Sequence, residues 1–184
     1  MDKITQRFEY PNGTLKNKMH EFDQNNLNQI EYEKVTYIGI KILNNANVKT
    51  ESFIDLQKIH YLMFSWLYEW AGEIRDYNLS KGETDFLPVN FLQKGIDEVN
   101  KQIDFINHKE LPTSYDYAIL LDRLNFLHPF REGNGRATKI FISKLALNHH
   151  QLIDYQRNNK NIIKALIDAD VEMLSKQIIL KNEH

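Results

Sequence analysis

The sequence predicts an all-α fold, a compact bundle of about six helices carrying one small β-hairpin. Seven glycines and four prolines among 184 residues leave long stretches without a breaker. Apolar residues recur at three- and four-residue spacings in six segments, and only one segment shifts toward period two. The chain is long enough to bury roughly 70% of its unfolded surface, so it needs no staples. It has no cysteine, which excludes disulfides, thiol nucleophiles and zinc–thiolate sites.

The opening stretch turns at Pro11-Asn12-Gly13 and has no sustained period, so residues 1–22 read as an arm, ordered or frayed. Residues 23–184 read as a single domain. Asp23 suits an N-cap, with Leu27, Ile30, Val35, Ile38 and Ile42 following at helical spacing. The segment from Glu51 to Trp70 carries a broad apolar stripe, the mark of a buried helix. From Glu73 to Pro88 residues alternate loosely around Lys81-Gly82, which reads as the hairpin. Helical spacing returns over Val89–His108, from Thr113 or Ser114 to Leu127, over Gly135–Asn148, and over Asn159–Leu180.

Lysine plus arginine number 23 against 25 acidic residues, a net charge of -2, which argues against nucleic acid as a partner. No apolar run approaches the roughly 20 residues of a membrane span. The first residues lack the apolar core of a signal peptide. A cytoplasmic protein is the expectation, or one delivered into a host by a route that the sequence does not show.

One segment carries chemistry: Leu127-His128-Pro129-Phe130-Arg131-Glu132-Gly133-Asn134-Gly135-Arg136-Ala137-Thr138-Lys139. Gly133-Asn134-Gly135 permits a tight turn and a close approach of backbone to ligand. A helix starting directly after it points unpaired N–H groups outward, an arrangement that binds anions and phosphate in particular. Arg136 and Lys139 lie three residues apart on that helix and can add charge to the same anion. Glu132 precedes the turn, where a carboxylate can hold a divalent cation that bridges phosphates. His128 supplies a base with an ordinary pKa near neutrality. Glu132 and Arg136 are four apart, but a chain turning through Gly-Asn-Gly is not expected to keep them in helical ion-pair register. His149-His150 follows a helix end and reads as a C-terminal cation, since no third metal ligand lies at suitable spacing. His60 and His108 read as isolated.

The segment resembles the signature of the Fic-domain family, His-x-Phe-x-Asp/Glu-Gly-Asn-Gly-Arg-x-x-Arg, matched everywhere except at Lys139. Tyr68-Glu69-Trp70-Ala71-Gly72-Glu73-Ile74-Arg75 with Ser80-Lys81-Gly82 is similar to the family's helix-to-flap segment, and Tyr10-Pro11 with Thr14–Lys18 to its leader. The resemblance implies a protein adenylyltransferase, a bacterial toxin or effector that transfers AMP from ATP to a Tyr, Ser or Thr hydroxyl of a target protein. His128 would then be the general base, and Glu132 the Mg²⁺ ligand. Gly133, Asn134 and Gly135 would hold the α-phosphate, and Arg136 the phosphates beyond it. Phe130 would be buried beneath the loop. The hairpin would be a flap over the active site that binds the target as an added strand, and its Lys81 and Gly82 would join Lys139 among the nucleotide-binding residues.

Lys139 replaces the family's second arginine, which exchanges a bidentate fork for a point charge and loosens control of the γ-phosphate. No stretch fits the family's inhibitory pattern Ser/Thr-x-x-x-Glu-Gly/Asn, because Thr5 to Glu9 is followed by Tyr10 and Ser65 to Glu69 by Trp70. A separate small antitoxin is therefore the form in which inhibition is expected. Two other readings stand beside transfer from ATP: an interaction module with little activity, and the same fold with a different phosphate donor.

Overall fold

The computed structural model describes residues 3–82 and 84–182. Eight helices run in chain order: α1 (Lys3–Phe8), α2 (Gln24–Leu43), α3 (Phe53–Phe64), α4 (Leu92–His108), α5 (Ser114–Leu127), α6 (Asn134–Asn148), α7 (Lys160–Ile167) and α8 (Val171–Ser175). Two antiparallel ribbons complete the fold. One pairs β1 (Ser80–Lys81) with β2 (Thr84–Asp85), and the other pairs β3 (Gln151–Asp154) with β4 (Ile179–Asn182). Helix α6 is central, packing against α2, α3, α5 and β3. Its Ala137, Phe141, Ile142 and Leu145 are fully enclosed and share one core with Leu56 and Ile59 of α3 and Leu120 and Leu124 of α5.

The helix starts follow local chemistry. Asp23 caps α2, its Oδ1 accepting from Asn25 N at 2.8 Å and Asn26 N at 2.9 Å. Thr113 and Asp116 close a capping box at the start of α5.

The helix ends depart from the periodic reading in two places. Helix α3 stops at Phe64 and does not continue to Trp70. Residues 65–72 instead turn back along it, with Gln57 Nε2 donating to Gly72 O at 3.1 Å. The expected helix over Asn159–Leu180 breaks after α7. Ala169 takes a left-handed φ of 51°, and Asp170 N reaches back to Ala165 O at 2.9 Å, which closes α7 like a glycine-type cap. Asp170 then caps α8, its Oδ1 accepting from Met173 N. The chain ends its described part as β4 against β3, in register Gln151↔Asn182 through Asp154↔Ile179.

The period-two stretch contributes a shorter ribbon than its alternation suggests, with two residues per strand. Glu83, inside the predicted hairpin, lies outside the described residues. The arm is ordered over its described part. Phe8 of α1 is buried and meets Trp70 edge-on, with centroids 6.4 Å apart, while Arg7 Nη1 donates to both oxygens of Asp76.

Candidate active site

His128 occupies the C-cap of α5 in a left-handed conformation, φ 40°. The residue before a proline avoids the right-handed helical region, so Pro129 ends the helix at this point. A buried guanidinium then fixes the turn. Arg75, 4% exposed, donates from Nε to His128 O at 2.8 Å, from Nη2 to Leu127 O at 3.1 Å, and from Nη1 to Tyr77 O at 2.7 Å. Its Nη2 also donates to Leu87 O, and its backbone N–H donates to Pro129 O at 2.8 Å. One side chain thus ties both ends of the hairpin segment to the turn carrying His128.

The His128 ring is held on two sides. It stacks on Phe86, the residue following β2, and Nδ1 lies 3.1 Å from Asn125 O. Burial is the main force on its pKa and lowers it to about 4, against smaller opposing effects of the Asn125 carbonyl and Glu132. The ring is therefore neutral at pH 7. A carbonyl can only accept, so the proton sits on Nδ1 and Nε2 keeps a free lone pair.

The turn after His128 is braced from beneath. Phe130 is 1% exposed, as expected. The Asn134 side chain is spent on the same residue, its Oδ1 accepting from Phe130 N and its Nδ2 donating to Phe130 O, both at 2.9 Å. Any contribution of Asn134 to anion binding therefore falls to its backbone. Gly133 has φ 82°, and a Cβ there would come within 2.6 Å of the Phe64 ring, so the position admits only glycine. His60, read as isolated, is a strut of this loop. It is fully buried and stacks on Phe130 at 3.8 Å. Its Nδ1 accepts from Gly72 N and its Nε2 donates to Glu132 O, both at 2.9 Å. Burial lowers its pKa to about 4.

Above the turn lies a cleft of about 450 Å³. His128, Glu132, Gly133, Asn134, Gly135 and Arg136 form its floor, Lys81 and Thr84 reach in from the hairpin, and Tyr155, Arg157, Ile162 and Leu166 form the far wall. Gly133 is the N-cap of α6 and offers no side-chain acceptor, so the amides of Asn134 and Gly135, residues that line the cleft, have no partner among the described residues. Gly82 sits in the exposed turn of the hairpin, outside the cleft lining.

The cations differ in how far they are already paired. Arg136 Nη1 donates to Glu31 of α2, a buried carboxylate that also accepts from Tyr68 Oη. Its Nη2 lies 3.6 Å from Glu132 Oε1, so the i,i+4 contact excluded by the Gly-Asn-Gly argument does form. The reason is that α6 begins immediately after Gly133, leaving only one non-helical step between the two residues. Lys139 does not line the cleft. Its Nζ donates to Asp154 Oδ1 at 2.9 Å and Tyr155 O at 2.6 Å.

A sequence profile of the Fic/DOC family matches residues 52–146, more than half of the chain and all of this turn. The chain belongs to the Fic/DOC family. It is 29% identical over 163 residues to protein adenylyltransferase VbhT of Bartonella schoenbuchensis, covering 85% of this chain and 34% of that protein. It is 26% identical to the probable protein adenylyltransferase Fic of Escherichia coli, covering 77% of this chain and 72% of that one. The chain thus spans about a third of the first relative's length. In fold it is similar to the Bartonella tribocorum effector BepC with bound AMPPNP, at TM-score 0.82 and 21% identity over 98% of this chain and all of that one. The Fic domain of an effector from Bartonella sp. AR 15-3 gives 0.84 and 21%, covering 96% and 91%.

Within this Fic domain no group of three His, Asp or Glu side chains converges as a metal cage among the described residues. Glu132 is the one carboxylate among the described residues lining the cleft, 47% exposed, with Oε1 accepting from Gly133 N at 2.9 Å. That fits Mg²⁺, which is held by one or two carboxylates and fills its shell with phosphates and water. His149 is the C-cap of α6, and burial, then the neighbouring His150, lower its pKa, which works against the cation expected there. No helix among the described residues is long and apolar enough to cross a membrane. The residues that sequence reading missed are His60, Glu31 and Arg157. His60 and Glu31 lie on helix faces otherwise read as core, and Arg157 lies outside the signature.

Proposed function

We propose that this Fic domain, taken as residues 23–184 after an arm over 1–22, transfers AMP from ATP to a Tyr, Ser or Thr hydroxyl of a target protein. The observation that carries the reading is the neutral His128, its Nδ1 proton given to Asn125 O, in the same cleft as the open amides of α6. The names of the curated relatives and the nucleotide analogue bound by BepC support it.

The acceptor hydroxyl attacks the α-phosphorus while Nε2 of His128 takes its proton. The bond from the α-phosphorus to the bridging oxygen of the β-phosphate breaks, and pyrophosphate leaves. The unpaired amides of Asn134 and Gly135, at the positive end of α6, stabilise charge on the α-phosphoryl oxygens. Arg136, oriented by Glu31, faces the phosphates beyond. Lys139, placed at Asp154, bears on that region from outside the cleft. Mg²⁺ held by Glu132 would neutralise phosphate charge. The β1–β2 flap, with Lys81 over the cleft and Gly82 at its turn, receives the target as an added strand. Action as a translocated effector accords with the effectors whose fold it shares, and action as a toxin restrained by a small antitoxin belongs to the same proposal.

The test is transfer of label from α-³²P-ATP into lysate proteins, followed by intact mass of a modified target. The expected result is an AMP increment that disappears in His128→Ala, with a loss of roughly 10²–10⁴ in rate. Labelling by His128→Ala at the wild-type rate refutes the mechanism, and a different mass increment refutes AMP as the transferred group.

A further inference from the structure

We infer that Arg157 is a phosphate-binding residue of this cleft, supplying to the nucleotide's polyphosphate the guanidinium that the signature lacks at Lys139. The inference rests on reading the cleft as a nucleotide site.

Three observations lead to it. First, the signature's own cations already have protein partners. Arg136 is ion-paired with the buried Glu31, and Lys139 is held by Asp154 and the Tyr155 carbonyl outside the lining. Second, Arg157 follows β3 and brings its guanidinium to the first turn of α6. Its Nη1 lies 3.3 Å from where a Cβ on Gly135 would stand, so a side chain at that position would push the guanidinium back by a few tenths of an ångström. Third, Arg157 has no ion pair or hydrogen bond among the described residues. Glu132 acts on it through space, without contact, while burial and the charge of Arg136 both disfavour its cationic form. The side chain is exposed along the cleft wall, and a guanidinium beside a like charge and an anion-seeking helix end is stabilised by an arriving anion. The planar fork also suits phosphate oxygens in a way that a lysine does not.

The chain's own geometry explains why Lys139 does not take this role. By pinning Asp154 and Tyr155, it fixes the end of β3 and the residue after it, three and two positions before Arg157. Lys139 thereby positions the replacement guanidinium and need not reach the phosphates.

The test is calorimetry of ATP, ADP and AMP, each with Mg²⁺, on the full chain as wild type, Arg157→Ala, Arg157→Lys and Lys139→Met. Arg157→Ala is expected to weaken ATP roughly tenfold to a hundredfold, as loss of a charge-assisted contact does. AMP is expected to lose less than threefold, and Arg157→Lys to recover part of the ATP affinity. Lys139→Met is expected to weaken ATP less than Arg157→Ala does. Circular dichroism and the thermal midpoint establish that each variant is folded. ATP binding by Arg157→Ala equal to wild type overturns the inference and leaves the nucleotide reading intact. An equal loss for ATP and AMP overturns it too, since Arg157 would then serve the base or ribose. Failure of wild type to bind any of the three overturns the nucleotide reading, and the inference with it.

Discussion

His128 and Phe86 lie face to face, ring centroids 3.6 Å apart and planes 12° from parallel. The contact joins the proposed general base to the root of the hairpin that would hold its substrate. Phe86 is 8% exposed and covers the imidazole, and burial is what drives the His128 pKa down to about 4. Removing the cover should let the pKa climb toward its ordinary 6.5.

The first prediction follows from that cover. For the wild type, protonation of His128 should not limit transfer between pH 8 and about 5, because its pKa is about 4. In Phe86→Ala the acid limb should move up by about one pH unit or more, and kcat at pH 7 should fall roughly tenfold through lost orientation. pH–rate profiles of the two proteins check this. Coincident acid limbs would show that Phe86 does not set the base's environment.

The second concerns stability. The pKa values of His60 and His128 are about 4 when folded and about 6.5 when unfolded, so between these values the unfolded chain binds more protons. Stability is then fully present above about pH 6.5 and is lost as pH falls toward 4. His149, also lowered, adds to the same trend. The slope should approach at most about 1.4 kcal/mol per pH unit for each histidine. Urea unfolding at pH 7, 6 and 5 measures it, and a midpoint unchanged from pH 7 to 5 contradicts the buried neutral state of His60.

The third prediction uses Glu31, whose carboxylate joins Arg136 and Tyr68 below the cleft. Glu31→Gln keeps the shape and an acceptor for Tyr68 but leaves Arg136 without its buried counter-charge. Breaking such a pair costs about 3 kcal/mol. Because Arg136 is partly open to the cleft, a phosphate can replace the lost carboxylate. The variant should therefore melt lower when free and regain more stability than wild type on adding ATP. Thermal shifts with and without ATP and Mg²⁺ decide it; equal ATP-induced shifts in both proteins count against Arg136 as a phosphate contact.

Legibility in the sequence followed the range of the interactions. Asp23, Thr113 and the signature act within a few residues, and each stands where local chemistry predicted. The break at Ala169 escaped because no glycine marks it and the apolar period runs through it from Ile167 to Val171. The β3–β4 ribbon escaped because its strands pair residues about 25 to 31 positions apart, and strands of four residues carry little periodic signal. In the site, the positions of His128, Glu132 and the glycine turn were legible from one short segment. The residues bracing them were not. His60 donates to a carbonyl 72 residues away, Glu31 reaches Arg136 across 105, and Arg75 reaches His128 across 53. In sequence each is one polar residue in a helix or loop, and only the fold supplies its partner.

The last prediction tests the flap. Lys81 pairs with Thr84 and Ser80 with Asp85, while Phe86 N donates to Leu79 O at 3.1 Å. Hydrogen-bonded and open pairs alternate along an antiparallel ribbon, so Ser80 and Asp85 are the open pair. Their backbone groups point away from each other, one set to each edge of the ribbon, where an added strand would bond. Proline at either position removes an outward N–H and leaves the hairpin's own hydrogen bonds in place. If the target docks by main-chain pairing, one of Ser80→Pro and Asp85→Pro should lower target modification roughly tenfold or more. Both should bind ATP like wild type, since neither residue lines the cleft. Side-chain recognition predicts the reverse pattern, with Lys81→Ala losing target modification and both proline variants keeping it. Modification rates at fixed ATP, with calorimetry of ATP alongside, separate the two; full activity in both proline variants rules out strand addition at this flap.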